Sequence, residues 1–157
     1  MAGVLEAIYI SPAAGVLPHS VSHAQALAGR GLEGDRYASG AGTFSANNGR
    51  RDVTLIEAEA LEQFLRNFHH PLTPAQSRRN LLTRGVRLND LVGVDFFVGR
   101  VALRGLRLCE PCSHLAQFTA MPVLPGLVHQ GGLYAEILQE GALTVGDSVH
   151  LDSDIRP

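Results

Sequence analysis

The sequence predicts a mostly β protein: a partly open β-barrel carrying one main α-helix and short helical turns. Three observations carry this. Apolar residues come in many short segments broken by turn formers, with 17 Gly and 8 Pro spread through 157 residues. Only one stretch sustains a helical period. One long strand-like run, residues 101 to 108, changes phase at a glycine, as a strand does where a barrel bends it.

Val4 to Ile10 reads as the first strand, stopped by Ser11-Pro12. Leu17 to His23 suits an extended stretch. Residues 29 to 52 are rich in glycine and polar residues, with Asn47-Asn48-Gly49 among them, and predict a long, mobile connection. Loops of that length are usually functional or disordered. Val53 to Ile56 is a short strand. The helix is expected over Glu57 to Phe68, because Leu61, Phe64, Leu65 and Phe68 follow i, i+3, i+4, i+7 and share a face. Glu62 and Arg66 would pair across one turn on the polar side. His69-His70-Pro71 ends the helix, and Thr73-Pro74 suits the start of one further short turn.

The second half reads as β. Val94 to Val98 is a strand and Gly99-Arg100 a turn. Val101 and Leu103 are in phase, Leu106 and Leu108 are out of phase with them, and Gly105 at the switch predicts a β-bulge. Leu133 to Leu138 is another strand. Leu143, Val145, Val149 and Leu151 keep odd parity around the Gly146-Asp147 turn. Five to eight strands in a single domain over 1–157 are expected, a length that suits one core.

Composition narrows the function classes. Hydrophobic residues make up 45% and charged residues 18%, too apolar for a disordered chain. A net charge of -2 gives no drive toward nucleic acid or an anionic membrane. No run approaches the ~18 apolar residues of a membrane span, and the start has no basic then apolar signal, so a cytoplasmic location is expected. All 13 basic residues are Arg. The absence of Lys excludes a P-loop lysine, a lysine general base, and the Schiff-base lysine that pyridoxal phosphate binding needs. Anion contacts must come from Arg, His, backbone N–H groups or neutral donors.

Four motifs carry chemistry. Gly29-Arg30-Gly31-Leu32-Glu33-Gly34 matches the dinucleotide pattern, which needs a strand before it and a helix after it. Residues 23 to 28 show no strand alternation and 35 to 40 no helix start. The reading is a glycine turn, or a place where Gly31 and Gly34 admit a ligand beside Asp35 and Arg36. Arg78-Arg79-Asn80 is a solvated turn or a phosphate grip, for which planar Arg forks suit. Cys109-Glu110-Pro111-Cys112 has thioredoxin-like spacing without the βαβ context. It lacks the further ligands of a zinc site and the adjoining His of attached haem. A single reactive thiolate, or an inert buried pair, remains. His129-Gln130-Gly131-Gly132 is a turn, or an imidazole and flexible amides at a pocket rim. The other histidines form no metal spacing.

Taken in order, these segments resemble the MOSC domain, the module found at the C-terminus of molybdenum-cofactor sulfurases, in its small stand-alone bacterial form. The carrying stretches are Gly31 to Tyr37, Val53 to Glu57, Arg79-Asn80-Leu81, Leu88 to Gly93, Pro111 to Leu115, Gly131-Gly132 and Gly146-Asp147. The resemblance covers almost the whole chain, from about residue 4 to 151. The resemblance implies a β-rich barrel-like fold and a conserved cysteine, matched to Cys112. It implies that this thiol carries sulfur as a persulfide or ligates molybdenum in the molybdenum cofactor (molybdopterin). Some relatives reduce N-hydroxylated compounds with electrons from partner proteins. Tyr37 stands where the family often has His, and Gln130 where it often has Arg; the first loses a proton shuttle, the second a charge.

Three functions follow as expectations. In the first, Cys112 is the metal ligand and catalytic thiol. Gly34, Asp35, Arg36, Arg78, Arg79, Asn80, His129, Gly131 and Gly132 bind the cofactor, and an electron-donor reductase is the partner. In the second, the chain is a metal-free sulfur carrier charged by a cysteine desulfurase, with Cys109 releasing the sulfur from Cys112. In the third, it is a non-enzymatic binding domain with core cysteines.

Overall fold

The computed structural model describes residues 2–11, 17–35, 52–68, 79–108 and 132–151. Their strands are β1 (Ala2–Ile10), β2 (His19–Val21), β3 (His23–Leu27), β4 (Gly31–Leu32), β5 (Val53–Glu57), β6 (Leu81–Arg84), β7 (Asp95–Val98), β8 (Val101–Leu108), β9 (Leu133–Gln139), β10 (Gly141–Thr144) and β11 (Ser148–His150). The helix α1 spans Ala58–Phe68, and Leu88–Leu91 forms one 3-10 turn.

Seven strands close a barrel in the order β1-β6-β5-β9-β8-β7-β11, with β11 pairing back to β1. The expected partly open barrel is therefore a closed ring. β1 makes closure possible because it is long enough to divide its length: Ala2 to Val4 pair with β11, while Val4 to Ile8 pair with β6. Its register shifts between Leu5 and Ala7, a bulge that bends the strand. β5 and β6 are the parallel pair of the ring. Parallel neighbours need a crossover, and α1 lies in theirs. β10, β3 and β4 form a second small sheet.

Alternation sends Leu5, Ile8, Val53, Leu55, Leu81, Phe96, Val98, Leu103, Leu133, Ala135 and Ile137 into the barrel. Ala24, Ala26, Leu32 and Leu143 of the small sheet join the same core, as do Leu88 and Leu91 of the 3-10 turn. A second cluster, Ile56, Ala58, Leu61, Phe64 and Leu82, fills the space between α1 and the outer face of β5 and β6.

The bulge expected at Gly105 is present. The register of β8 on β9 slips between Gly105 and Arg107, and Val92 bridges to Gly105 from the other side. A Cβ there would stand 2.0 Å from the Leu91 carbonyl oxygen, so only glycine admits that approach. Several local expectations change. His23–Leu27 is a strand, with Ala24 and Ala26 inward and His23 and Gln25 outward. Alanine makes too weak an apolar phase for the alternation to be noticed in sequence. A second strand rather than a helix follows, which removes the dinucleotide reading. Leu65 is 48% exposed, because α1 sits on the sheet through Ala58, Leu61 and Phe64. Glu62 bonds to Arg84 rather than closing the expected pair with Arg66 as its main contact. Val145 and Leu151 lie at the surface; only Leu143 and Val149 of that series enter the core. Eleven strands among the described residues exceed the number expected. The Thr73-Pro74 turn lies outside the described residues.

Candidate functional site

Asp35 follows Gly34, whose φ of 89° lies in the left-handed region that glycine adopts without strain. The Asp35 side chain is buried, and its carboxylate accepts the Ser11 N–H at 2.8 Å. Its own N–H donates to the Leu32 carbonyl at 3.0 Å. Asn80 is also buried. Its Oδ1 accepts from the Thr54 N–H (3.1 Å) and the Thr54 hydroxyl (3.2 Å). Its Nδ2 donates to the Tyr9 carbonyl at 3.0 Å, and its backbone carbonyl accepts the Tyr9 N–H at 2.7 Å. Two residues that lie far apart in sequence thus meet at the end of β1, one on Ser11 and one on Tyr9. Arg79, beside Asn80, is half-buried.

Asp52 completes this end of the molecule. It is buried, and Oδ2 accepts both the Ile137 N–H (2.8 Å) and the Gly29 N–H (3.1 Å). It ties the glycine turn to β9, and sequence reading missed it. A lone acidic residue just before a strand gave no periodic signal; only the fold supplies its donors.

Gly132 flanks β5 on the side away from Asn80. A Cβ on it would lie 2.0 Å from the Leu55 carbonyl oxygen, and its φ is 110°. It borders a cleft of about 250 Å³ lined also by Glu57, Glu59, Gln63, Arg87 and Asn89. Val53 and Leu55 point into the barrel, so alternation puts Glu57 on the interior phase at the strand's end. Glu57 Oε2 accepts the Leu88 N–H at 2.9 Å. Burial pushes the Glu57 carboxyl above its ordinary value; the Leu88 N–H and Arg87 pull it down, and Glu59 and Asp90 push it up. Glu59 Oε2 accepts the Gly85 N–H at 2.8 Å, while its Oε1 is buried with no partner. Sequence reading did not select Glu57. The signal was available: a carboxylate in the apolar phase of a strand.

Arg36, Arg78, Cys109, Cys112, His129 and Gly131 lie outside the described residues. Of the candidate set the structure places Gly34, Asp35, Arg79, Asn80 and Gly132. Asp35 and Asn80 come together; Gly132 stands across β5 from them. No group of three or more His, Cys, Asp or Glu able to hold a metal occurs among the described residues. No described helix is long and apolar enough to cross a membrane.

The sequence profile of the MOSC domain matches residues 24–150. The chain belongs to the MOSC family. No curated protein sequence matches it. Solved structures carry the same fold. The YuaD protein from Bacillus subtilis superposes with a TM-score of 0.79 at 18% identity, over 95% of this chain and 94% of its own. YiiM from Geobacillus stearothermophilus gives 0.72 at 16% identity, over 95% and 74%. YiiM from Escherichia coli gives 0.70 at 19% identity, over 100% and 72%. MOSC domains are associated with the molybdenum cofactor, so the chain has a molybdenum-cofactor-related role in the general sense. The chemistry of the donors decides where such a phosphate-bearing anion fits. The cleft of Glu57 and Glu59 does not suit it, because two carboxylates oppose the phosphate. A thiolate for the metal and guanidinium groups for the phosphate would be the donor set that suits it.

Proposed function

We propose that this MOSC protein binds the molybdenum cofactor through Cys112 and supports reduction of N-hydroxylated compounds with electrons from a partner reductase. The observation that carries the reading is family membership over a span that contains Cys112. Cys112 is the thiolate ligand. Arg36, Arg78 and Arg79 meet the phosphate as charge-assisted donors. The cofactor, when bound, supplies the redox-active metal. His129, Gly131 and Gly34 border it with backbone amides and one imidazole, whereas Gly132 lines the separate Glu57 cleft. Asp35 and Asn80 serve it at one remove, since their side chains already bond Ser11, Thr54 and Tyr9. They hold the ends of the segments that carry Arg36 and Arg78. A cytoplasmic location belongs to the same reading.

Metal and phosphorus analysis of protein freshly purified from cofactor-competent cells tests this. Molybdenum and phosphorus should co-purify with the wild type and be lost from Cys112→Ala. Background molybdenum in repeated wild-type preparations would overturn it.

The Cys109-x-x-Cys112 spacing favours one second reading, a metal-free sulfur carrier. A desulfurase places sulfane sulfur on Cys112. Cys109 thiolate then attacks Cys112 Sγ, forming a disulfide and releasing hydrosulfide, so the two thiols are oxidised as the sulfur is reduced. Incubation with a desulfurase and cysteine should add the mass of one sulfur atom to the wild type and none to Cys112→Ala. An unmodified wild type would sink this reading.

A further inference from the structure

The Glu57 cleft is unsuited to the anion of the proposed function, and its chemistry points to a different guest. We propose that it is a binding site for a small organic cation, an ammonium or guanidinium with N–H donors, held by Glu57 and by the amide side chain of Gln63. At about 250 Å³ the cleft lies just below the ~300–1,000 Å³ of sites for drug-sized ligands, so its guest is compact.

The charge balance selects a cation. Glu57 and Glu59 both border the cleft. The opposing guanidinium, Arg87, is 78% exposed and faces Asp90 at 3.7 Å, so water and a carboxylate already answer much of its charge. Two further features mark a place for a guest. Glu57 is pinned by one oxygen to the Leu88 N–H, and no protein donor among the described residues meets the other. A carboxylate oxygen held in a fixed direction with an open valence is preorganised for a donor. Glu59 Oε1 is buried without a partner, so the Gly85 N–H on the other oxygen answers only part of that carboxylate's hydrogen-bonding capacity.

Binding is coupled to protons. The groups facing Glu57 are Glu59 on α1, Arg87 ahead of the 3-10 turn, and Asp90 and the Leu88 N–H within it. Burial favours its protonated form, and an arriving cation favours the charged form. The cation therefore displaces a proton, and affinity rises with pH through the acidic range.

The test is an NMR titration of the full chain without cofactor, using benzylammonium, benzyl alcohol and benzoate and following the amides of Leu88 and Gly132. Benzylammonium alone should shift both amides saturably. Its affinity should fall as pH drops from 7 to 4, because Glu57 takes up the proton that the cation must displace. Glu57→Gln keeps an oxygen for the Leu88 N–H, removes the charge, and should weaken binding at pH 7 by about tenfold or more, the scale of one hydrogen bond to a charged group. Equal response to the three probes, shifts centred elsewhere, or wild-type affinity in Glu57→Gln would overturn the proposal. If that variant does not fold, the charge series and pH series on the wild type decide alone. Because the cofactor-free protein is used, failure here leaves the Cys112 reading untouched, and failure of metal binding leaves this one untouched.

Discussion

The end of β1 is built from buried polar residues, and the cleft below Glu57 from two half-buried carboxylates among exposed Gln63, Arg87 and Asn89, and their valences differ. Asp35, Asn80 and Asp52 bond to backbone donors and acceptors on other segments of the chain. Glu57 and Glu59 each give one oxygen to the backbone and keep the second unmatched by any described donor. The first group does the work of a clasp, since a buried polar group with its partners in place holds the chain and has little left for a ligand. The second group has capacity left over. A polar residue's spare valence separates these two roles better than its burial or its charge does.

Asn80→Ala should break the clasp most severely. It strands the Thr54 N–H, the Thr54 hydroxyl and the Tyr9 carbonyl, each at about 1–3 kcal/mol if left buried and unpaired, so a loss of about 3 kcal/mol or more is expected in urea unfolding. A loss under about 1 kcal/mol would return Asn80 to the ligand-binding candidates. Asp52→Asn keeps one oxygen for the Gly29 and Ile137 N–H groups but removes the charge that strengthens both bonds, and should cost less, about 1–3 kcal/mol.

The cleft should respond to pH through Glu57. The folded Glu57 carboxyl sits above its ordinary value of 4.5, so between that value and the raised one the folded state holds more protons than the unfolded. Its contribution to stability is fully present below 4.5 and falls as pH rises through the raised value. Glu57→Gln should therefore gain stability relative to wild type as pH increases across that window, read from paired urea curves. A gap independent of pH would show that Glu57 is not desolvated. Leu65→Gln is the smallest change and lies outside both regions. It should stay within about 0.5 kcal/mol in thermal unfolding, because the side chain is half exposed. Leu61→Ala on the same helix should cost about 2–5 kcal/mol.

Much of the barrel was legible in the residues. The parity of Val101 and Leu103 against Leu106 and Leu108, with Gly105 between, located the bulge before any coordinates. The helical period located α1 to within one residue. Where local pattern was faint it failed: Ala24 and Ala26 carry the inward phase of β3 with side chains too small to stand out. The site was legible only as a set of residue types. Asp35 and Asn80 were singled out, and their roles were not, because a motif reports which side chains are present and not which of their atoms are already bonded. Glu57 was passed over although its phase in β5 marked it.

Taken alone, the sequence determined the β class, the single main helix, the bulge, the all-arginine cation set and the MOSC resemblance. Each rests on periodicity, composition or short ordered motifs, which are properties of neighbours along the chain. The fold alone decided that the ring closes, that Asp52 serves Gly29 and Ile137, that Asn80 serves Thr54 and Tyr9, and that Glu57 keeps an oxygen no described donor meets. Those outcomes depend on partners that lie 23, 85, 26, 71 and 31 residues away. Hydrogen bonds act over a few ångströms, so such pairings come into being only when the strands that carry them are brought side by side.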